Sequence, residues 1–286
     1  MKPMLFGCLF MLALLTTLAP DFAQAAESYD NCAGMISSLP AVISTQGTWC
    51  LTSDLTTAIT SGSAITVNTN NVTIDCNNFK LGGLTAGVGT TASGLSATNR
   101  INVTVRHCNV RGFLRGLYFT GSGGGHTVEN NNFDGNTQVG IHVEGDASIV
   151  RNNRVSDTGG STVYSQVRGI EVLNSIDVIN NMVSGATARS GSNGNVYGIY
   201  AYADSARING NEVTGLVKDG TGAVYGIYAE YNEHTIIRNN DLIGDGYPTS
   251  VGIYCTYGSA VALDNVLFAF ATNISSCYDA GNVARP

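Results

Sequence analysis

The chain has 286 residues, of which 35 are glycine and 12 % are charged, with a net charge of −7. An acidic, sparsely charged chain lacks the basic field that nucleic acid or an anionic membrane surface attracts, so both are excluded as partners. Glycine and asparagine are poor in helix interiors, and their abundance excludes an all-helical fold.

Residues 1–25 read as a secretory signal peptide. Lys2 is followed by an apolar run from Met4 to Leu18, and Ala23-Gln24-Ala25 offers small residues for cleavage. The run is shorter than the ~20 residues of a membrane span, and no second one follows, so no membrane insertion is expected. No cysteine stands immediately after the cleavage site, which argues against a lipoprotein. The expected location is secreted or periplasmic. Residues 26–49 are read as an N-terminal cap, with a short helix over Cys32 to Leu39 ended by Pro40. The cap is needed because a bare strand edge recruits other chains. Residues 50–274 carry the repeats, Val266 to Ile274 is expected to close the far end, and residues 275–286 form a tail.

The repeat is clearest at Gly198-Ile199-Tyr200-Ala201, which returns as Gly226-Ile227-Tyr228-Ala229, Gly169-Ile170-Glu171-Val172 and Gly140-Ile141-His142-Val143. The anchoring glycines are Gly94, Gly116, Gly140, Gly169, Gly198, Gly226 and Gly252, spaced 22 to 29 residues apart. A second column runs Cys108, Asn131, Asn153, Asn181, Asn211, Asn240 and Asn265, each two residues before an apolar side chain. Each unit holds short segments in which apolar and polar residues alternate, the mark of a strand. Gly and Asn tolerate positive φ and are read as the corner residues. So short a unit cannot bury its own apolar face and must stack on its neighbours. Equivalent strands then lie parallel, about 4.8 Å apart. The expected fold is all-β, a single-stranded parallel β-helix in one domain, with an asparagine ladder at one corner.

Six cysteines remain after the signal, and an even number in an exported chain argues for disulfides. Fifteen connectivities are open to six cysteines. The expected pairs are Cys32–Cys50 across the cap, Cys76–Cys108 between adjacent coils and Cys255–Cys277 across the last coil. No Cys-x-x-Cys pair occurs, so no metal site is assigned to them.

The Gly-Ile-x-Val and Ile-x-x-Asn-x-Val grammar resembles the repeats of the pectate-lyase-like superfamily. The segments Trp49-Cys50-Leu51-Thr52-Ser53-Asp54-Leu55, Ala64-Ile65-Thr66-Val67 and Asn71-Val72-Thr73-Ile74-Asp75-Cys76 resemble the opening coils of its bacterial secreted members. The resemblance runs from about Cys50 to Asn273 and implies a right-handed helix, which spacing does not show. The superfamily holds lyases, hydrolases, epimerases, adhesins and proteins of no known activity, so fold alone does not give function. Of the polygalacturonase motifs only echoes are present, Gly125-His126-Thr127 and Arg207-Ile208-Asn209. Asn-Thr-Asp, adjacent aspartates and the calcium-binding Gly-Gly-x-Gly-x-Asp nonapeptide are absent.

Residues that alternate outward should stack into columns. One is Ser96, Tyr118, His142, Glu171, Tyr200, Tyr228 and Tyr254. The next is Thr120, Glu144, Leu173, Tyr202, Glu230 and Thr256. A third, just before the glycines, is Arg115, Val139, Arg168, Tyr197, Tyr225 and Val251. Tyrosine pairs an apolar ring with a polar edge, which suits sugars. The expected substrate-binding residues are therefore Tyr118, Tyr200, Tyr202, Tyr228, Glu230 and Tyr254. Glycosidases need two carboxylates at defined separation, which nominates Glu144 and Glu171, with His142 and Arg168 beside them as a base and an anion partner. The same tyrosines serve equally well as cross-coil packing. His107 and His126 read as solvated surface residues. No cofactor is required, and calcium is the one ion left open, through stacking of Glu144, Asp146 and Glu171. The expected function is that of a monomeric protein binding a polysaccharide or cell-surface glycan, with cleavage or modification open as lyase, glycoside hydrolase or epimerase. The alternative is a non-catalytic structural or adhesin-like solenoid.

Overall fold

The computed structural model describes residues 31–231, 233–257 and 259–285. The signal-peptide reading lies outside them. The chain winds as a right-handed parallel β-helix with three sheets of 11, 10 and 10 strands. One sheet, here the tyrosine sheet, runs from Ala41–Ile43 through Arg115–Thr120, Val139–Glu144, Val167–Leu173, Val196–Tyr202, Val224–Glu230 and Ser250–Thr256 to Thr272–Ser275. Each coil then crosses a second sheet, turns a tight corner onto the third, and returns through a loop of variable length.

Alternation sets what is inside. Leu117, Ile141, Ile170, Ile199, Ile227 and Ile253 pair in register from coil to coil. All are fully buried, as are Val110, Phe133, Val155, Val183, Val213, Leu242 and Leu267 of the third sheet. Burial of one such side chain contributes roughly 1.5 to 3 kcal/mol.

The anchoring glycines are required by space rather than by backbone sign, since none of them has positive φ. A Cβ on Gly198 would lie 2.3 Å from Val213 Cγ1 and 2.6 Å from the Gly226 carbonyl oxygen. Gly198→Ala is therefore expected to lower stability by about 2 kcal/mol through overpacking, read as a drop in urea midpoint at unchanged slope. An unchanged midpoint would show that the coils can spread to admit the methyl.

The asparagine column forms a buried ladder. Asn131, Asn153, Asn181, Asn211 and Asn240 each donate Nδ2 to the Oδ1 of the next asparagine at 2.9–3.0 Å. Asn265 continues it to Asn282, one rung beyond the expected column. The turn itself is made one residue earlier. Asn130, Asn152, Asn180, Gly210, Asn239 and Asp264 have φ of 53–68°, whereas the ladder residues do not. The corner thus divides two tasks between neighbours, one bending the backbone and one bonding it.

Three disulfides join Cys32–Cys50, Cys76–Cys108 and Cys255–Cys277, with Cα separations of 5.9, 4.7 and 5.2 Å. Cys108 occupies the ladder position, so the second bridge covers the ladder's first rung. Such bonds suit an oxidising compartment. Among the described residues no helix is long and apolar enough to cross a membrane.

Two expectations about the ends are corrected. The expected helix over Cys32 to Leu39 is absent. Gly34–Ile36 is a strand in register with Trp49 to Leu51, because the Trp49 ring lies where a Gly34 side chain would be. Ala41–Ile43 likewise joins the tyrosine sheet. The described part of the expected cap is therefore already coil. At the other end Val266–Phe268 is an interior strand, and Tyr278–Ala280 and Val283–Arg285 extend two sheets through the expected tail.

Candidate functional site

The outer face of the tyrosine sheet carries the three columns in register. Ser96, Tyr118, His142, Glu171, Tyr200, Tyr228 and Tyr254 pair successively. Arg115, Val139, Arg168, Tyr197, Tyr225 and Val251 do the same, although Val139 is fully buried.

The structure gathers His142, Glu144, Glu171 and Arg168 into one network. His142 Nδ1 lies 2.9 Å from Glu171 Oε2, and Nε2 lies 3.2 Å from Glu144 Oε1. The other Glu171 oxygen faces Arg168 Nε at 3.5 Å. The other Glu144 oxygen accepts the Gly121 N–H at 2.6 Å. The two carboxylates thus grip opposite nitrogens of one imidazole and stand apart by the width of the ring.

Burial alone would push the His142 pKa down, but the hydrogen bonds and charges of Glu144 and Glu171 outweigh it and hold it raised. Burial would raise Glu171, yet the His142 hydrogen bond and the Arg168, His142 and Arg115 charges keep it lowered. Glu144 is lowered chiefly by its bond to His142. The two carboxylates therefore favour the protonated form of the imidazole between them.

Aromatic rings close around it. Tyr118 lies 4.9 Å from the His142 ring, with the Arg115 guanidinium 4.5 Å over its own ring. Arg168 sits 4.8 Å over Tyr200 and 5.4 Å over Tyr197. Beyond it, Tyr197 stacks on Tyr225 at 5.2 Å and Tyr200 on Tyr228 at 5.4 Å, while Tyr254 tilts against Tyr228 at 5.1 Å. The two stacks meet edge-on, as in Tyr225 against Tyr228 at 86°. Stacking along the axis uses the flat faces of these rings, so the surface presents their edges and hydroxyls.

The Tyr200 hydroxyl donates to Glu230 Oε2 at 2.5 Å. Burial first, then Glu230, raises the Tyr200 pKa, and burial with the Glu230 charge pushes Tyr228 up to about 12. Both phenols therefore stay protonated at neutral pH; Tyr228 can donate to a ligand, whereas Tyr200 gives its proton to Glu230 and can only accept. Tyr202 stands apart from these stacks, in a second and more exposed row with Tyr231 and Tyr257.

Arg115, Tyr197 and Tyr225 belong to the site although only their column marked them. Their signal is the position just before the glycine. Tyr231 and Tyr257 were not anticipated, because each lies one residue past a strand end. His126, expected on the surface, is buried. Its Nδ1 accepts the Val103 N–H at 3.3 Å, its ring packs 5.0 Å from Phe119, and burial lowers its pKa to about 4. The bridge of Gly124 to Ile101 draws this loop onto the core. His107 is half-exposed and bonded to Asp75 at 3.1 Å. Among the described residues no group of three or more His, Cys, Asp or Glu side chains is arranged to hold a metal ion.

No family model matches the chain. No curated protein matches it in sequence. Solved structures do share its fold. A mutant DFA-IIIase from Arthrobacter chlorophenolicus in complex with DFA-III is 12 % identical over 85 % of this chain and 66 % of its own, with a TM-score of 0.51. Tailspike protein 2 of Escherichia coli O157:H7 bacteriophage CAB120 is 13 % identical over 83 % and 35 %, at 0.48. The mannuronan C-5 epimerase A-module of Azotobacter vinelandii is 14 % identical over 88 % of both chains, at 0.42. The chain spans less than two thirds of the length of the first two. The likeness to the DFA-IIIase is one of architecture alone.

Proposed function

We propose that this is an exported glycan-binding protein whose site is the outer face of the tyrosine sheet, from Tyr118 and His142 to Tyr254. One observation carries the reading. A largely buried charged network runs directly into a row of tyrosine edges, repeated at the coil spacing of about 4.8 Å. Such a row offers hydroxyl donors and carboxylate acceptors along a line, which suits an extended polysaccharide. The three disulfides support export into an oxidising compartment.

Binding fits the network better than turnover. Each oxygen of Glu144 and Glu171 already faces an internal partner. Each keeps a second lone pair for a sugar hydroxyl. Neither is a free nucleophile, and both nitrogens of His142 are occupied, so no base stands open.

A glycan-array screen of the mature chain, with and without calcium and with mass spectrometry on every hit, tests this. The expected result is a bound polysaccharide, no product, and affinity weakened at least tenfold in Tyr228→Ala, roughly 1.4 kcal/mol. Unsaturated or hydrolysed products would make the protein an enzyme centred on Glu144 and Glu171. No binding to any glycan would leave a structural or adhesin-like solenoid.

A further inference from the structure

We infer that the groove beside Tyr202 and Tyr231 binds an uncharged sugar unit, at a site separate from the charged network. The groove has a volume of about 300 Å³ and is lined by Asp146, Asn174, Tyr202, Asp204 and Tyr231 among others. That is the low end of the size at which proteins hold small ligands. It lies where the tyrosine sheet turns toward the second sheet, past the strand ends at Glu144, Leu173 and Tyr202.

Its aromatic wall differs from the central stacks. Tyr197 is buried, and Tyr200, Tyr225, Tyr228 and Tyr254 pack on one another, so cross-coil stabilisation accounts for their presence. Tyr202, Tyr231 and Tyr257 also pack in a row, at 4.9 and 5.2 Å, yet remain 42, 45 and 75 % exposed, so much of their surface stays open to solvent. Two of them are also costly to place. Tyr231 and Tyr257 have φ of 52° and 51°, a region where asparagine or glycine is cheap and a bulky ring is not. A solvent-exposed ring held at an unfavourable backbone position is the kind of outlier that points to a functional contact.

The polar groups select the ligand's charge. The lining holds two aspartates and no lysine, arginine or histidine. Asp146 is oriented by accepting the Ser175 N–H at Oδ1, 3.1 Å away. Carboxylates beside an aromatic wall accept sugar hydroxyls while the ring meets C–H groups. An anionic sugar would meet two like charges. The central face, with Arg115, Arg168 and His142, imposes no such exclusion, so the two sites differ in the sugars they admit.

Saturation-transfer NMR on the full chain tests this, with maltohexaose, cellohexaose, mannohexaose and an oligogalacturonate as probes. At least one neutral hexasaccharide is expected to receive saturation. Its affinity should fall about tenfold in Tyr202→Ala and measurably in the isosteric Asp204→Asn. The exposed position of Tyr202 lets the first variant fold, and Asp204→Asn alters no volume, so two independent variants read the groove. Absence of neutral binding at millimolar probe overturns the inference, as does binding that survives both groove variants or competition by the oligogalacturonate. Loss of affinity in Glu171→Gln alone would assign the sugar to the central face instead.

Discussion

Asn181→Ala is expected to destabilise the chain by about 3 to 5 kcal/mol, more than removal of most single core methyl groups. Asn181 is 2 % exposed and sits mid-ladder. Its Nδ2 donates to the Val150 carbonyl at 2.9 Å and to Asn211 Oδ1 at 3.0 Å. Its Oδ1 accepts the Asn153 N–H at 2.9 Å and Asn153 Nδ2 at 3.0 Å. Truncation removes four bonds and leaves the groups of three neighbours short of partners where water cannot enter. Each buried polar group left unsatisfied costs roughly 1 to 3 kcal/mol. Asn181→Asp should do no better, because it sets a carboxylate oxygen against the Val150 and Asn211 acceptors. The neighbouring Asn180→Gly should cost only a few tenths of a kcal/mol, since Asn180 is exposed and its φ of 53° is one that glycine adopts freely. Urea and thermal unfolding of the three variants decide the matter. Asn181→Ala unfolding together with Asn180→Gly would show that the ladder is filled by water and contributes little.

The second large effect depends on pH. At pH 6, Glu171→Gln should lose about 3 kcal/mol, because it strands the His142 imidazolium and the Arg168 guanidinium in a largely buried site. The His142 pKa is raised in the folded chain, so its stabilisation is complete below the unfolded value of 6.5 and is lost as pH rises through the folded value. The Glu171 and Glu144 pKa values are lowered, so their stabilisation is present above the unfolded value of 4.5 and is lost as pH falls through the folded values. The difference between wild type and Glu171→Gln should therefore be largest between about pH 4.5 and 6.5, and shrink on both sides. The difference is the quantity to plot, because buried His126 acts in the opposite sense. Its lowered pKa destabilises the fold as pH drops below 6.5, equally in both proteins. A difference that stays flat from pH 4 to 9 would mean that the three groups do not titrate as a unit.

The corner shows why some of this architecture could be read from residues and some could not. Asn130-Asn131, Asn152-Asn153, Asn180-Asn181 and Asn239-Asn240 are doublets. Either member could bend the chain, and the sequence does not say which. The bend falls on the first because the second must point inward to reach the coil above. The N-terminal segment shows the same limit. Pro40 reads as a helix stop, whereas pairing with the Trp49 coil makes the preceding residues a strand. Local preference yielded there to an unsatisfied sheet edge.

The candidate site divides along the same line. By itself the sequence determined the fold class, the inward isoleucines and the order of the outward columns, because alternation is a local property of each strand and the glycines mark its phase. Only the tertiary structure decided that His142 lies between Glu144 and Glu171, that the central tyrosines spend their faces on each other, and that Tyr202, Tyr231 and Tyr257 form a separate row. His142 and Glu171 are 29 residues apart. The glycine spacing sets them in adjacent coils, but the rotamers that let one imidazole bond both carboxylates leave no periodic mark in the chain.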